Sequence, residues 1–150
     1  MMKIDDGVEP LVRSALDAAV NRDAGRFEDA LAAFSDRAQL QAGVELAAAV
    51  AAFVLFEIHD GVPSAADAEA LAQDIADQES WIGLRQGETA SFLAALTERR
   101  PLSAALGREG AVVLPFIVAA NLLATSASPE SGEWWFNYLD KVEAAIEAAG

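Results

Sequence analysis

Two stretches, Leu46 to Phe56 ("LAAAVAAFVLF") and Ala111 to Ala120 ("AVVLPFIVAA"), contain no charged residue at all. Wound into a helix, each is apolar on every side, so each needs neighbours on every side, and the rest of the chain has to supply them. Both fall short of the roughly 18–20 residues that a membrane-spanning helix requires. Both are rich in alanine, and neither has Lys or Arg flanks suited to orienting it in a bilayer. They are therefore read as buried core helices, and no membrane partner is expected.

The segments between them are helical in pattern. Alanine is abundant, β-branched residues are few outside the two apolar runs, and no useful strand alternation appears. A chain of 150 residues suits one domain with one sizeable core. The expectation is a single all-α domain over 1–150, an orthogonal or irregular bundle of six to eight helices around two central apolar helices.

Asp6 and Glu9 stand three apart, as in a capping box, ahead of a first helix from about Pro10 to Val20 whose stripe is Leu11, Val12, Ala15, Leu16 and Ala19. "NRDAG" (21–25) reads as a turn. Phe27, Leu31 and Phe34 then give a second helix one apolar face, completing a helical hairpin. Ser35 or Asp36 caps a third helix running to about His59, with Gly43 as a point of division. The fourth, about Ala65 to Glu79, buries Ala68, Leu71 and Ile75 and turns Asp67, Asp74 and Asp77 outward, with Glu69 nearby. Trp81, Ile82 and Leu84 fold back on the core. A fifth helix, about Glu88 to Arg99, buries Phe92, Leu93 and Leu96, and Pro101 starts a short sixth ending near Gly107.

Pro115 either starts a helix or sits inside a kinked one from Glu109 to Thr125, and the kinked helix is preferred. Asn121 within it is expected to bond to neighbouring backbone. Ser128 and Pro129 signal a last helix to about Ala148. Its broad apolar face carries Trp134, Trp135, Tyr138, Leu139, Val142 and Ile146, and its opposite face Asp140, Glu143 and Glu147. Phe136 falls among those acids, either tucked under a loop or presented to a partner. An apolar helix followed by an amphipathic one, at Leu46–Glu79 and again at Ala111–Ala148, forms a faint internal echo.

The only histidine lies in "FEIHDGVPSAAD" (56–67). His59 in a last helical turn, Gly61 at the left-handed C′ position, Pro63 beyond it and the Ser64-x-x-Asp67 start signal all read as punctuation. With one His, no Cys and two Lys, the usual activators of a nucleophile and the usual metal ligands are nearly absent. "LGREGA" (106–111) has neither the Lys-Ser/Thr pair nor the preceding strand of a phosphate loop. Glu45 and Glu57 lie too far apart, about 18 Å along one helix, to make a compact site. No enzyme, cofactor or metal is expected.

The charge points to a partner. The net charge is −14, and between Arg37 and Arg85 there is no Lys or Arg, while eight carboxylates lie there. Nucleic acid, which needs clustered Lys and Arg, is an unsuitable partner, and a basic protein a suitable one. The chain reads as a non-enzymatic acidic interaction module of the regulator, adaptor or toxin-neutralising kind, with Asp67, Asp74, Asp77, Phe136, Asp140 and Glu143 as partner-binding candidates. Two alternatives are a small apolar ligand in a pocket lined by Trp81, Trp134, Trp135 and Tyr138, and a homo-oligomer burying an apolar face. The start, "MMKIDDG", lacks the basic and apolar regions of a secretory signal, so a cytoplasmic location is expected.

Overall fold

The computed structural model describes residues 3–101 and 106–149. Among them are seven α-helices and no strand: α1 (Glu9–Val20), α2 (Ala24–Ala32), α3 (Arg37–Ile58), α4 (Ala65–Gln78), α5 (Gln86–Glu98), α6 (Arg108–Ser126) and α7 (Trp135–Ala149). Short 3₁₀ turns at Ser80–Ile82 and Pro129–Ser131 join α4 to α5 and α6 to α7. The short helix expected from Pro101 falls largely outside the described residues.

The two apolar runs lie in α3 and α6, which pack against each other at the centre. Val50, Val54 and Leu55 of α3 and Phe116, Ile117 and Leu123 of α6 are fully buried there. Each such side chain contributes about 1.5–3 kcal/mol by leaving water. α1 crosses α6 and lays Val12, Ala15 and Leu16 against it. Phe27 and Phe34, from the α1–α2 hairpin and its exit, meet Phe116 at ring distances of 6.4 and 6.1 Å. α5 covers the centre with Phe92 and Leu93, and α7 with Leu139 and Val142, packing on both α3 and α6. α4 leans mainly on α5 and so stands at the periphery. The internal echo is therefore not a structural repeat: the amphipathic helix after α3 leaves the centre, and the one after α6 stays on it.

α6 runs through Pro115, which therefore lies inside the helix and does not start it. Pro115 has no N–H for the carbonyl of Ala111, but Leu114 and Phe116 beside it are buried, and tertiary packing outweighs the lost bond. α3 also continues through Gly43 undivided. Its cap is reciprocal: Asp36 Oδ1 accepts from the Gln39 N–H (2.8 Å) and Gln39 Oε1 accepts from the Ser35 N–H (2.6 Å). α3 as a whole, at 22 residues, is long and apolar enough to cross a membrane. Fewer than half the residues of its most apolar stretch are buried. Ala49, Ala52, Phe53 and Phe56 form a half-covered stripe where complete cover is expected.

Four local readings are corrected. The Asp6–Glu9 capping box does not form, because α1 starts at Glu9 itself and that carboxylate turns to Arg13; the Asp5 carbonyl accepts from Val8 and Glu9 instead. Ser128–Pro129 starts only a 3₁₀ turn, ended by left-handed Gly132 (φ 84°). α7 begins six residues later, where Asn137 Oδ1 accepts from the Trp134 N–H at 3.0 Å. Asn121 bonds to side chains rather than backbone, donating to Gln78 Oε1 and Glu79 Oε2 at 2.8 Å each.

The fourth concerns "FEIHDGVPSAAD". α3 closes with Gly61 N–H on the Phe56 carbonyl (2.8 Å) and Asp60 N–H on the Glu57 carbonyl (3.3 Å), a Schellman motif whose C′ residue is Asp60 (φ 51°), while Gly61, one residue on, also has positive φ (128°). His59 Nδ1 bonds the Leu55 carbonyl at 2.9 Å, so the histidine serves the helix end. Asp60 pays for this position twice, in left-handed strain and in an acid placed at the negative end of a helix. Asp60→Gly is expected to raise unfolding stability by about 1 kcal/mol, read as a higher urea midpoint at unchanged slope.

Candidate functional site

α4 owes its start to Ser64, whose Oγ accepts from the Asp67 N–H at 3.1 Å, and to Asp67 itself, an acid in the first turn. Its inner face buries Ala72, Ile75 and Ala76, while Ala68 and Leu71 are half-buried. Asp67, Glu69, Asp74 and Asp77 are all exposed. Asp77 Oδ1 accepts from Gln73 Nε2 at 2.9 Å, and no ion pair among the described residues neutralises any of the four. Four acids elsewhere are matched, Asp17 with Arg26 (2.6 Å), Asp140 with Arg13 (2.8 Å), Glu98 with Arg100 (2.6 Å), and Glu133 with Lys141, while Glu28, Asp29, Glu88 and Glu147 are exposed and, among the described residues, without an ion pair.

The α7 candidates separate. Phe136 remains 42% exposed, not tucked away, and rests edge-on against Trp135 at 5.8 Å. The two rings face Pro10, Ser14 and Asp17 of α1 across an open cleft of about 490 Å³. Asp140 is exposed but engaged by Arg13. Glu143, expected to face outward, has only 13% of its side chain exposed. It turns toward α1, where its Oε1 accepts from Arg13 Nη2 at 3.3 Å.

Arg13 is thus a hub that sequence reasoning missed. Its Nε donates to both Glu9 oxygens (3.2 and 3.1 Å), and its Nη2 reaches Asp140 and Glu143. Burial opposes ionisation of Glu9, yet hydrogen bonds from Arg13 and Glu143 hold its carboxyl below the usual range. Burial and the adjoining Glu9 push Glu143 up to about 8. The i, i+4 spacing of Glu9 and Arg13 is visible in the sequence; the link to α7, 127 residues on, is a property of the tertiary fold.

The four aromatic pocket candidates are not gathered together. Trp81 meets Phe27 edge-on at 6.2 Å, Trp134 is 54% exposed, and Trp135 lines the cleft with Phe136. Tyr138 is buried and donates its hydroxyl to Glu57 at 3.0 Å; burial and that carboxylate push its pKa up to about 12. Glu57 therefore ties α3 to α7. Glu45 takes only a 3.4 Å contact from Gln41 on its own helix.

A second missed feature is Glu79, counted with the acids of α4 but only 4% exposed. Its Oε1 accepts from Trp81 Nε1 (2.7 Å) and its Oε2 from Asn121 (2.8 Å), with Arg22 Nη2 at 3.4 Å. Every oxygen has a donor, so the group is a structural junction of α4, α6 and the α1–α2 turn. Among the described residues no group of three or more His, Cys, Asp or Glu is placed to hold a metal. No protein family, curated protein or solved structure matches this chain.

Proposed function

We propose that the protein is a non-enzymatic interaction module whose acidic exterior engages a basic protein, with the outer face of α4 as the principal contact. One observation carries this reading. On α4 every acid, Asp67, Glu69, Asp74 and Asp77, is exposed with no ion-pair partner among the described residues, and the helix holds no Lys or Arg, whereas α1 and α7 set Asp17 and Asp140 against Arg26 and Arg13. Like charges without ion-pair partners repel one another, and the field they project speeds encounter with an opposite charge. α4 also sits at the periphery, leaning on α5, so a partner reaches this face without disturbing the α3–α6 centre.

The test is capture from the source cell by the wild-type chain and by a variant reversed to Lys at Asp67, Asp74 and Asp77. Loss of the captured protein by about tenfold or more is expected, with an unchanged helical circular dichroism spectrum. Reversal of the exposed Glu28 and Asp29 on α2 serves as the control and is expected to leave capture intact. Equal capture by all three chains would refute the assignment of α4.

A further inference from the structure

α1 and α7 each pack on α3 and α6, but they are not a closely packed pair themselves. What spans the seam between them is one cluster: Arg13 and Glu9 from α1, Asp140 and Glu143 from α7. The pairings order the helices antiparallel, with Glu9 beside Glu143 at one end and the Trp135–Phe136 cleft at the other.

The cluster has an imbalance. Three carboxyls surround one guanidinium, and Glu143 Oε2 is a buried side-chain oxygen without a hydrogen-bond donor. Arg13 is already committed to both oxygens of Glu9, to Asp140 and to Glu143 Oε1. The charged group α7 engages on α3, Glu57, bonds Tyr138 instead. A buried carboxylate oxygen with no donor is costly, and a second carboxylate alongside makes it more so. A single proton resolves both problems: placed on Glu143, it is donated to Glu9, and the cluster becomes two carboxylates around one Arg.

We propose that the α1–α7 seam is a proton-operated latch, in which Glu9 and Glu143 share one proton under the clamp of Arg13 and loss of that proton loosens the seam and widens the cleft that presents Phe136. The device is intrinsic to the free protein and does not depend on the partner proposed for α4. Its direction follows from linkage. The folded state keeps on Glu143 a proton that the unfolded chain releases near pH 4.5, and gives it up only near 8. The stabilising contribution is therefore whole below about pH 4.5, declines as the pH rises, and is gone above about 8. The lowered Glu9 belongs to the same shared proton.

The chain has no cysteine, so cysteines introduced at exposed Ser14 and Glu147 accept spin labels without background. The expected result is that the interlabel distance lengthens between pH 6 and pH 9, and that Glu143→Gln, whose amide donates permanently to Glu9, abolishes the change. Carbon-detected NMR of the Glu carboxyls should show one group titrating near 8, absent in the variant. A carboxyl that titrates there with no distance change would defeat the latch. So would an equal distance change in Glu143→Gln, or no Glu titration above pH 6.

Discussion

Glu79→Ala is expected to lower the stability of the fold by about 3 kcal/mol, the scale for removing one partner from a buried charged network. Trp81 Nε1 loses its acceptor, the Asn121 amide keeps only Gln78, and Arg22 keeps only its 3.3 Å bond to the Gln78 carbonyl. Each donor left unsatisfied in a buried place adds about 1–3 kcal/mol. Asn121→Leu breaks the same junction from the α6 side and should cost somewhat less, because the indole of Trp81 still reaches Glu79. As the two residues are in contact, the double variant should be less destabilised than the sum of the singles. Urea unfolding at constant slope reads all three. A loss under about 1 kcal/mol for Glu79→Ala would mean that solvent reaches these groups freely, contrary to their burial.

Gly43→Val is expected to cost about 3 kcal/mol, at the upper end for forcing volume into a filled core. A Cβ at Gly43 would stand 2.6 Å from Phe34 Cε1 and 2.8 Å from Cζ, with Val12 Cγ2 at 3.4 Å behind. Phe34 has little freedom to move, because it is buried and leans on Phe116. Gly43→Ala sets a smaller clash against the roughly 1 kcal/mol that alanine gains in a helix interior, and a net loss of about 1 kcal/mol is expected. Phe34→Leu should remove most of the penalty of either change. Full additivity of Phe34→Leu with Gly43→Val would show that the strain lies elsewhere.

Much of the architecture was legible because it depends on local or strongly periodic signals. The charge-free runs identified α3 and α6 as the centre, Asp36 and Ser64 cap where their side chains suggest, and the spacing of Asp67, Asp74 and Asp77 put them on the outer face of α4. The errors share a cause. Ser128–Pro129 and Asp6–Glu9 are good start signals, and each was outvoted by tertiary contacts a few residues later: the committed Arg13 holds Glu9, and Leu139 and Val142 set where α7 meets the core. Gly61 was the natural C′ residue by propensity, yet α3 ends one residue earlier, so Asp60 takes that position and Gly61 follows it with positive φ of its own. Glu79 and Glu143 look like any surface acid in the sequence. What withdraws them from solvent is the arrival of Asn121 and Arg13 from 42 and 130 residues away, and no window of sequence contains that.

The crossing of α1 over α6 has a temporal side. Val12 and Leu16 are buried partly against a helix centred about a hundred positions downstream, so a ribosome adding 5–20 residues per second leaves that side of α1 uncovered for about 5–20 s. During that interval the nascent hairpin and the unpartnered α3 both display greasy surface, a natural client for a holding chaperone at the exit tunnel. The centre of this protein closes only when α6 emerges.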